Sequence, residues 1–425
     1  MRSFRRFAIC CVAGALATVA ACSSDDTSES TSPQAPTATG DPVPISTEAP
    51  STIATTSTSP ATTEPTPERE ERTYDFEAVA PIVQAFVDDR GLNGAGLIVV
   101  DEQDGVVYED YWGEFSADRV SFIASSSKMI TAGVLLYLHD ADLLDIDAPV
   151  SDVVDWGAAN PAIVPAQLIS NSSGLVGLLP NPVFLPYLCQ YNPEGSLQDC
   201  AEAIFATPDD DADVVPPDTE FRYGGAQWQV AGAVAEVASG KSWAELIEEI
   251  YIAPCDLEAL GFANHFLQFE SVGLGYPAAF NGDPASLTAT ANPNMEGGGY
   301  VTTGDYAKLL LMHLRGGMCD DTQVLSQEAL DRMHADRIGE VYGGDAFVGE
   351  VNVGDPTSGD RGYGMGWWVD RSSGRISDGG AYGAVPWLDL EDGYGAYLVI
   401  EADSRTGNAL ADELYQVIDE AVTSS

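Results

Sequence analysis

The stretch "SFIASSSKMITAGVLLYL", residues 121–138, sets three serines directly before a lysine. Lysine is scarce: the chain holds only Lys128, Lys241 and Lys308, against 66 acidic residues. A serine hydroxyl is a weak nucleophile until a base takes its proton. A lysine becomes such a base when burial lowers its pKa. Helical neighbours lie three and four residues apart, so Ser125 shares a face with Lys128 one turn away, whereas Ser126 and Ser127 do not. Residues 129–138 are apolar on every side, which predicts a helix buried in the body rather than lying on it. The start of such a helix points backbone N–H groups at the serine and favours developing negative charge. The plainer alternative makes Ser125 to Ser127 helix caps and Lys128 a surface cation. Ser-x-x-Lys is weak taken alone, but a lysine leading into a buried helix is hard to reconcile with a surface role.

These residues need elements to position them. Residues 75–89 have helical periodicity, and "GAGLIVVDEQDGVVYEDYWGEF" reads as two strands joined by a turn at Asp104-Gly105. The middle, residues 140–325, is helical and loop-rich. Strands return at "YGMGWWVD", "AVPWLDL" and "GAYLVIEAD", and a helix over 407–422 closes the chain. Strands at both ends with helices between them predict an α/β (α+β) fold. In it a mostly antiparallel sheet is flanked by helices, and the inserted, mainly helical segment forms a second lobe.

Ahead of this body, residues 1–21 read as a signal peptide: Arg2, Arg5 and Arg6 precede a short apolar run. Val19-Ala20-Ala21-Cys22 resembles a bacterial lipobox, which would make Cys22 the lipidated first residue; ordinary cleavage with Cys22 a bystander is the alternative. Residues 22–73 are Ser, Thr, Pro and Ala with almost no large apolar side chain, a linker unable to fold. As a flexible coil it would hold the body on the order of 40 Å from the lipid. The remaining domain, 74–425, is thereby expected on the extracytoplasmic face of a cell membrane, lipid-anchored. A net charge of −48 makes nucleic acid a poor partner. Oligomeric state is left open. Cys189, Cys200, Cys255 and Cys319 suggest two disulfides in an exported protein. Three pairings are permitted, of which 189–200 and 255–319 are favoured because the first pair flanks a short polar loop. No cofactor or metal is called for. Residues 209–220 place acids at positions 1, 3, 5 and 12 of an EF-hand-like loop, but Val214 stands where the sharp turn needs glycine. That segment reads as a solvated acidic loop. Thr303 and Asp305 read as helix caps.

The nucleophile segment resembles that of the serine β-lactamase-like hydrolases, which include class C β-lactamases, D-alanyl-D-alanine peptidases and related esterases. The likeness continues in order. "PAQLISNSSGL" resembles their Leu-Leu-x-His-Thr-Ser-Gly-Leu segment, and "FRYGGAQWQVAGAVAEVASGKSW" their Tyr-x-Asn block. "GGGYVTTGDYAKLLLMHLRGG" and "YGMGWWVD" fit later blocks. "SDGGAYGAVPW" falls where the family has Lys or His followed by x-Gly. The resemblance implies Ser125 as nucleophile, Lys128 as its proton acceptor and Tyr223 as shuttle to the leaving group. It implies an oxyanion hole from the backbone N–H of Ser125 and of Ala381, or of Gly380 after a one-residue slip. Gly225 replaces the second-motif Asn and Asp378 the third-motif cation, which places both, with Gly380, on the substrate-binding side. An acid at 378 would repel the carboxylate that penicillins and D-Ala-D-Ala stems carry. The expected activity is hydrolysis of small-molecule esters or amides without a free carboxylate, or of cell-wall-derived substrates, through a Ser-Lys-Tyr acyl-enzyme. The alternatives are a β-lactamase or D-alanyl-D-alanine carboxypeptidase, and a non-catalytic envelope binding lipoprotein on the same scaffold.

Overall fold

The structure is a computed structural model that describes residues 72–176, 184–207, 213–269, 275–342 and 361–423. Cys22, the signal segment and residues 22–71 of the linker lie outside them, as do Asp209 and Asp211 of the acidic loop. Of that loop's other acids, Glu220 pairs with Arg222 at 2.8 Å.

A seven-stranded sheet runs in the spatial order Gly105–Gly113, Gly94–Asp101, Tyr394–Val399, Ala384–Asp389, Ile376–Ser377, Trp368–Asp370, Arg361–Tyr363. Every pairing is antiparallel. Strands from early and late in the described body therefore meet side by side, with Leu97 opposite Leu398 and Ile98 opposite Tyr397. Alternation along each strand feeds two cores. Ala95, Leu97, Val99, Val385, Trp387, Ala396 and Leu398 point to one face, covered by the helices Val79–Arg90 and Ser404–Thr423. Ile98, Val100, Leu388, Tyr397 and Val399 point to the other, toward the helical lobe. Both faces being covered, the central strands carry no solvent side, and all eight residues of Gly94–Asp101 are buried.

The helix Ser127–Asp140 threads the lobe-side core, with Met129, Ile130, Ala132, Val134, Leu135 and Leu136 at zero exposure. It packs against the helix Gly225–Ser239, which is also buried over its first eleven residues. Burial of this extent contributes about 1.5–3 kcal/mol per large side chain, which anchors the start of the helix where the serines stand. A three-stranded sheet of Val120–Phe122, Gly299–Thr302 and Leu260–Phe262 stands beside that start. The sequence pattern did not reveal it, since strands of three or four residues are too short to show a period. The segment read as one strand over 363–370 is two, separated by a turn at Gly366, whose φ is +84°. The cap of the helix Thr303–Leu314 is Thr302, not Thr303; Asp305 instead accepts from the amides of Glu258 and Ala259. The two favoured disulfides are present, with Cα separations of 5.5 Å for Cys189–Cys200 and 4.9 Å for Cys255–Cys319.

Candidate active site

The three serines do three different things. Ser125 lies in a single 3₁₀ turn, Ala124–Ser126, ahead of the buried helix, and is the one serine of the three that is partly accessible. Ser126 Oγ donates to the Asp378 carbonyl at 2.5 Å, and its own carbonyl accepts from Tyr306 at 3.2 Å. It therefore staples the turn to the strand that carries the third motif. Ser127 Oγ donates to the Ala124 carbonyl at 2.6 Å and accepts from Gly299 N–H at 2.9 Å, fixing the turn to the small sheet. Ala124 holds φ +46°, a conformation costing a non-glycine residue about 1–2 kcal/mol. The bonds on either side keep it there and aim Ser125 outward.

Lys128 is fully buried. Its Nζ donates to Ser125 Oγ at 3.0 Å, to the Glu296 carbonyl at 3.1 Å and to Glu296 Oε2 at 3.2 Å. An ammonium has three N–H groups, and each has an acceptor. Nζ also lies 4.6 Å from the centroid of the Tyr223 ring. The sequence led us to expect burial to strip the lysine of its proton. Burial does act in that direction, but Tyr223, Glu296 and Asp378 outweigh it and raise the pKa above the ordinary lysine value. The apolar run supplies the walls, and acids from distant segments supply the charge.

Tyr223 is held in an aromatic cage, its ring 5.5 Å from that of Trp368 and 6.3 Å from that of Tyr363. Its hydroxyl is buried and faces Lys128 and Ser125. Burial raises its pKa, opposed by the charge of Lys128 and by Ser125. The backbone around it is set by Asn171, whose Oδ1 accepts from Gln227 Nε2 at 2.8 Å and Trp228 Nε1 at 3.1 Å. The segment "SNSSG" thus acts as the bracket that positions the second motif.

Gly225 opens the helix behind Tyr223. A Cβ added there would stand 2.1 Å from Glu296 Oε1 and 2.2 Å from Gln190 Oε1. The volume that the family's Asn would fill is taken by two side chains from elsewhere. Asp378 is fully buried with both carboxyl oxygens unpaired among the described residues, and burial holds its pKa well above the usual carboxylate range, against the pull of Lys128. Its neighbours on the strand end meet the nucleophile turn closely: a Cβ at Gly380 would lie 2.0 Å from the Ile123 carbonyl. The amide of the next residue, Ala381, is engaged by no hydrogen bond among the described residues.

Ser125, Lys128, Tyr223, Gly225 and Asp378 are therefore gathered around one point, with the backbone of Gly380 packed on the turn that carries Ser125. The sequence reading missed Glu296 and Gln190. Two signals pointed to them: a buried lysine demands a counter-charge, and a glycine in place of a long polar side chain leaves a volume that something must fill.

A family model described as Beta-lactamase matches residues 79–420. Penicillin-binding protein 4 of Amycolatopsis lactamdurans is 26% identical over 250 residues, which are 55% of this chain and 62% of that protein. The chain thus spans about three fifths of that relative's length. Lovastatin esterase of Penicillium rubens (strain ATCC 28089 / DSM 1075 / NRRL 1951 / Wisconsin 54-1255) is 25% identical over 296 residues, 60% of this chain and 72% of that protein. Among solved structures, a candidate β-lactamase from Bacteroides dorei DSM 17855 aligns with a TM-score of 0.64 at 26% identity. That alignment covers 82% of this chain and all of the other. With the family match running through nearly the whole described body, the chain belongs to the Beta-lactamase family of serine hydrolases.

Proposed function

We propose that this protein is a Ser-Lys-Tyr hydrolase that forms an acyl-enzyme on Ser125 and acts on esters or amides lacking a free carboxylate. The observation that carries the reading is the 3.0 Å contact between the Nζ of the fully buried Lys128 and the Oγ of the partly accessible Ser125. In the first step Ser125 Oγ bonds to the acyl carbon, and its proton passes to Lys128. The amides of Ser125 and Ala381 stabilise the oxyanion. The alcohol or amine then leaves, taking a proton relayed through Tyr223, and water hydrolyses the acyl-serine by the reverse path. Lys128 must first lose a proton to serve as base, so kcat/KM rises with pH toward the lysine's raised pKa.

Asp378 supports the substrate preference. Where the family places a cation to meet a substrate carboxylate, this chain offers an acid. The likeness to a lovastatin esterase is in keeping with an ester substrate, and the likeness to a penicillin-binding protein keeps β-lactamase or D-alanyl-D-alanine carboxypeptidase activity as the second reading. We place the enzyme on a lipid anchor at Cys22, on the outer face of the membrane. Fluorophosphonate labelling of the purified protein, with Ser125→Ala as control, tests catalysis. Labelling that persists in the variant, or is absent from both, overturns it. A panel of p-nitrophenyl esters, nitrocefin and D-amino-acid amides tests preference: ester turnover well above nitrocefin turnover is expected, and rapid nitrocefin hydrolysis overturns it.

A further inference from the structure

The space at Gly225 and the charge on Lys128 lead to the same residue. Glu296 lies 168 positions from Lys128 in sequence and accepts two of its three N–H groups, one on the backbone carbonyl and one on Oε2. Its other carboxyl oxygen stands 2.1 Å from where a side chain at 225 would begin. Beside it Gln190 Oε1, on a side chain almost wholly buried, accepts no hydrogen bond among the described residues.

We propose that Glu296 is the positioning residue of this site: it occupies the volume of the missing residue-225 side chain, holds Lys128 against Ser125 as an ammonium, and sets the pH at which that ammonium gives up a proton and becomes able to accept the one on the serine. The inference rests on the hydrolase reading above. The groups facing Lys128 are Ser125, Tyr223, Trp228, Glu296 and Asp378. Those facing Glu296 are Lys128, Tyr191, whose hydroxyl donates to Oε1 at 3.4 Å, and, through the field alone, Tyr223, Tyr363 and Tyr382. Burial raises the pKa of each of these tyrosines and of Asp378, favouring their neutral forms. Of the acidic groups that raise Lys128, Glu296 is the one whose carboxyl is hydrogen-bonded to its Nζ, at 3.2 Å. With that carboxyl replaced by an amide, burial acts on Lys128 against a weaker opposing field.

The chain's three lysines make the test direct, because lysine labelled with ¹³C at Cε yields three resonances, two of them from the surface residues Lys241 and Lys308. In Glu296→Gln the Lys128 titration is expected to fall by at least about one pH unit. The rising limb of kcat/KM for p-nitrophenyl butyrate should move down by the same interval. An unmoved lysine titration, or an activity loss equal at every pH, overturns the proposal. The titration reads Glu296 whether or not any ester is turned over, so failure of the hydrolase reading is seen separately.

An exchange variant covers the case in which Glu296→Gln fails to fold. Gly225→Asn alone drives a side chain into Glu296 and Gln190 and should lower the melting temperature and abolish turnover. Gly225→Asn with Glu296→Ala removes the Glu296 half of that clash, so the end of the Gln190 side chain can swing into the space Glu296 leaves and its orphan oxygen can accept from the new amide. Recovery of melting temperature to within a few degrees of the parent, with a lowered Lys128 titration, is expected. A double variant no more stable than Gly225→Asn alone overturns the proposal.

Discussion

The two sides of the site are built on opposite terms. On the nucleophile side, polar groups are pinned: Ser126 to the Asp378 carbonyl, Ser127 to Ala124 and Gly299, and Lys128 to three acceptors. On the recognition side, Gln190 Oε1 and both oxygens of Asp378 are buried with no side-chain hydrogen-bond partner among the described residues. Unpaired buried polar groups cost about 1–3 kcal/mol each, and the body sustains several in one place. The difference teaches that this scaffold holds the Ser125–Lys128 pair by over-determination, whereas the facing side keeps neutral polar groups in place of a cation. A neutral ligand that both donates and accepts hydrogen bonds would satisfy that surface; a carboxylate would find no cation at Asp378 to meet it.

The largest effects should come from breaking the pinned side. Ser125→Ala should cost at least about a thousandfold in ester hydrolysis while leaving the melting temperature nearly unchanged, as that hydroxyl is the partly accessible one. Lys128→Met should cost as much activity and also about 3–5 kcal/mol of stability, because it removes one partner of the buried Lys128–Glu296 ion pair. Adding Glu296→Gln to Lys128→Met should return most of that stability and none of the activity. Chemical denaturation of the four proteins in the cycle measures the coupling, and strict additivity would show that the two sides are not linked through this ion pair.

Much of this was legible in the sequence. The apolar run after Lys128 announced a buried helix, the spacing put Ser125 rather than its neighbours beside Lys128, and alternation located the long strands Gly94–Asp101 and Tyr394–Val399. What escaped depends on contacts that sequence proximity does not encode. Glu296 meets Lys128 across 168 residues, and nothing in "NPNMEGGGY" distinguishes it from the chain's many solvated acids. The direction of the lysine's pKa shift escaped for the same reason, since local pattern reveals burial but not the charges brought in by the fold. The short strand Val120–Phe122 escaped because its stability comes from pairing with Gly299–Thr302, not from its own three residues.

An intermediate effect should follow from loosening the staples. Ser126→Ala removes the donor to the Asp378 carbonyl and should cost about 1–3 kcal/mol, together with a fall in kcat at little change in KM, because Ser125 and the Ala381 amide lose their common reference. Ser127→Ala should cost a similar stability, leaving Gly299 N–H without its acceptor, but less kcat, because it ties the turn to the small sheet and not to the third motif. Equal kcat for the two variants would erase the distinction drawn between these serines.

The smallest and sharpest effect is a slope. Asp378 titrates in the folded protein well above the usual range because of burial, whereas in the unfolded chain its pKa is about 3.9. Between those values the folded state keeps a proton that the unfolded state has released. The group's contribution is therefore complete below about pH 3.9 and is lost as pH rises through the folded value. Three buried histidines act oppositely: burial lowers His313 well below its ordinary value, takes His334 down to about 4 and His265 to about 3, so they make stability rise with pH up to about 6.5. Lys128, raised above 10.5, contributes only to a loss beyond that pH. Subtracting the wild-type curve from that of Asp378→Asn cancels the histidines, because the amide keeps the neutral acid's shape without its titration, and the lysine, which Asp378 helps to raise, acts only above pH 10.5. The difference in melting temperature should be near zero at pH 4, grow in the variant's favour as pH rises, and level off once Asp378 is ionised in both states. A difference that stays flat across that range would mean that the recognition side carries its acid as freely as water does, and the contrast between the two sides of the site would be lost.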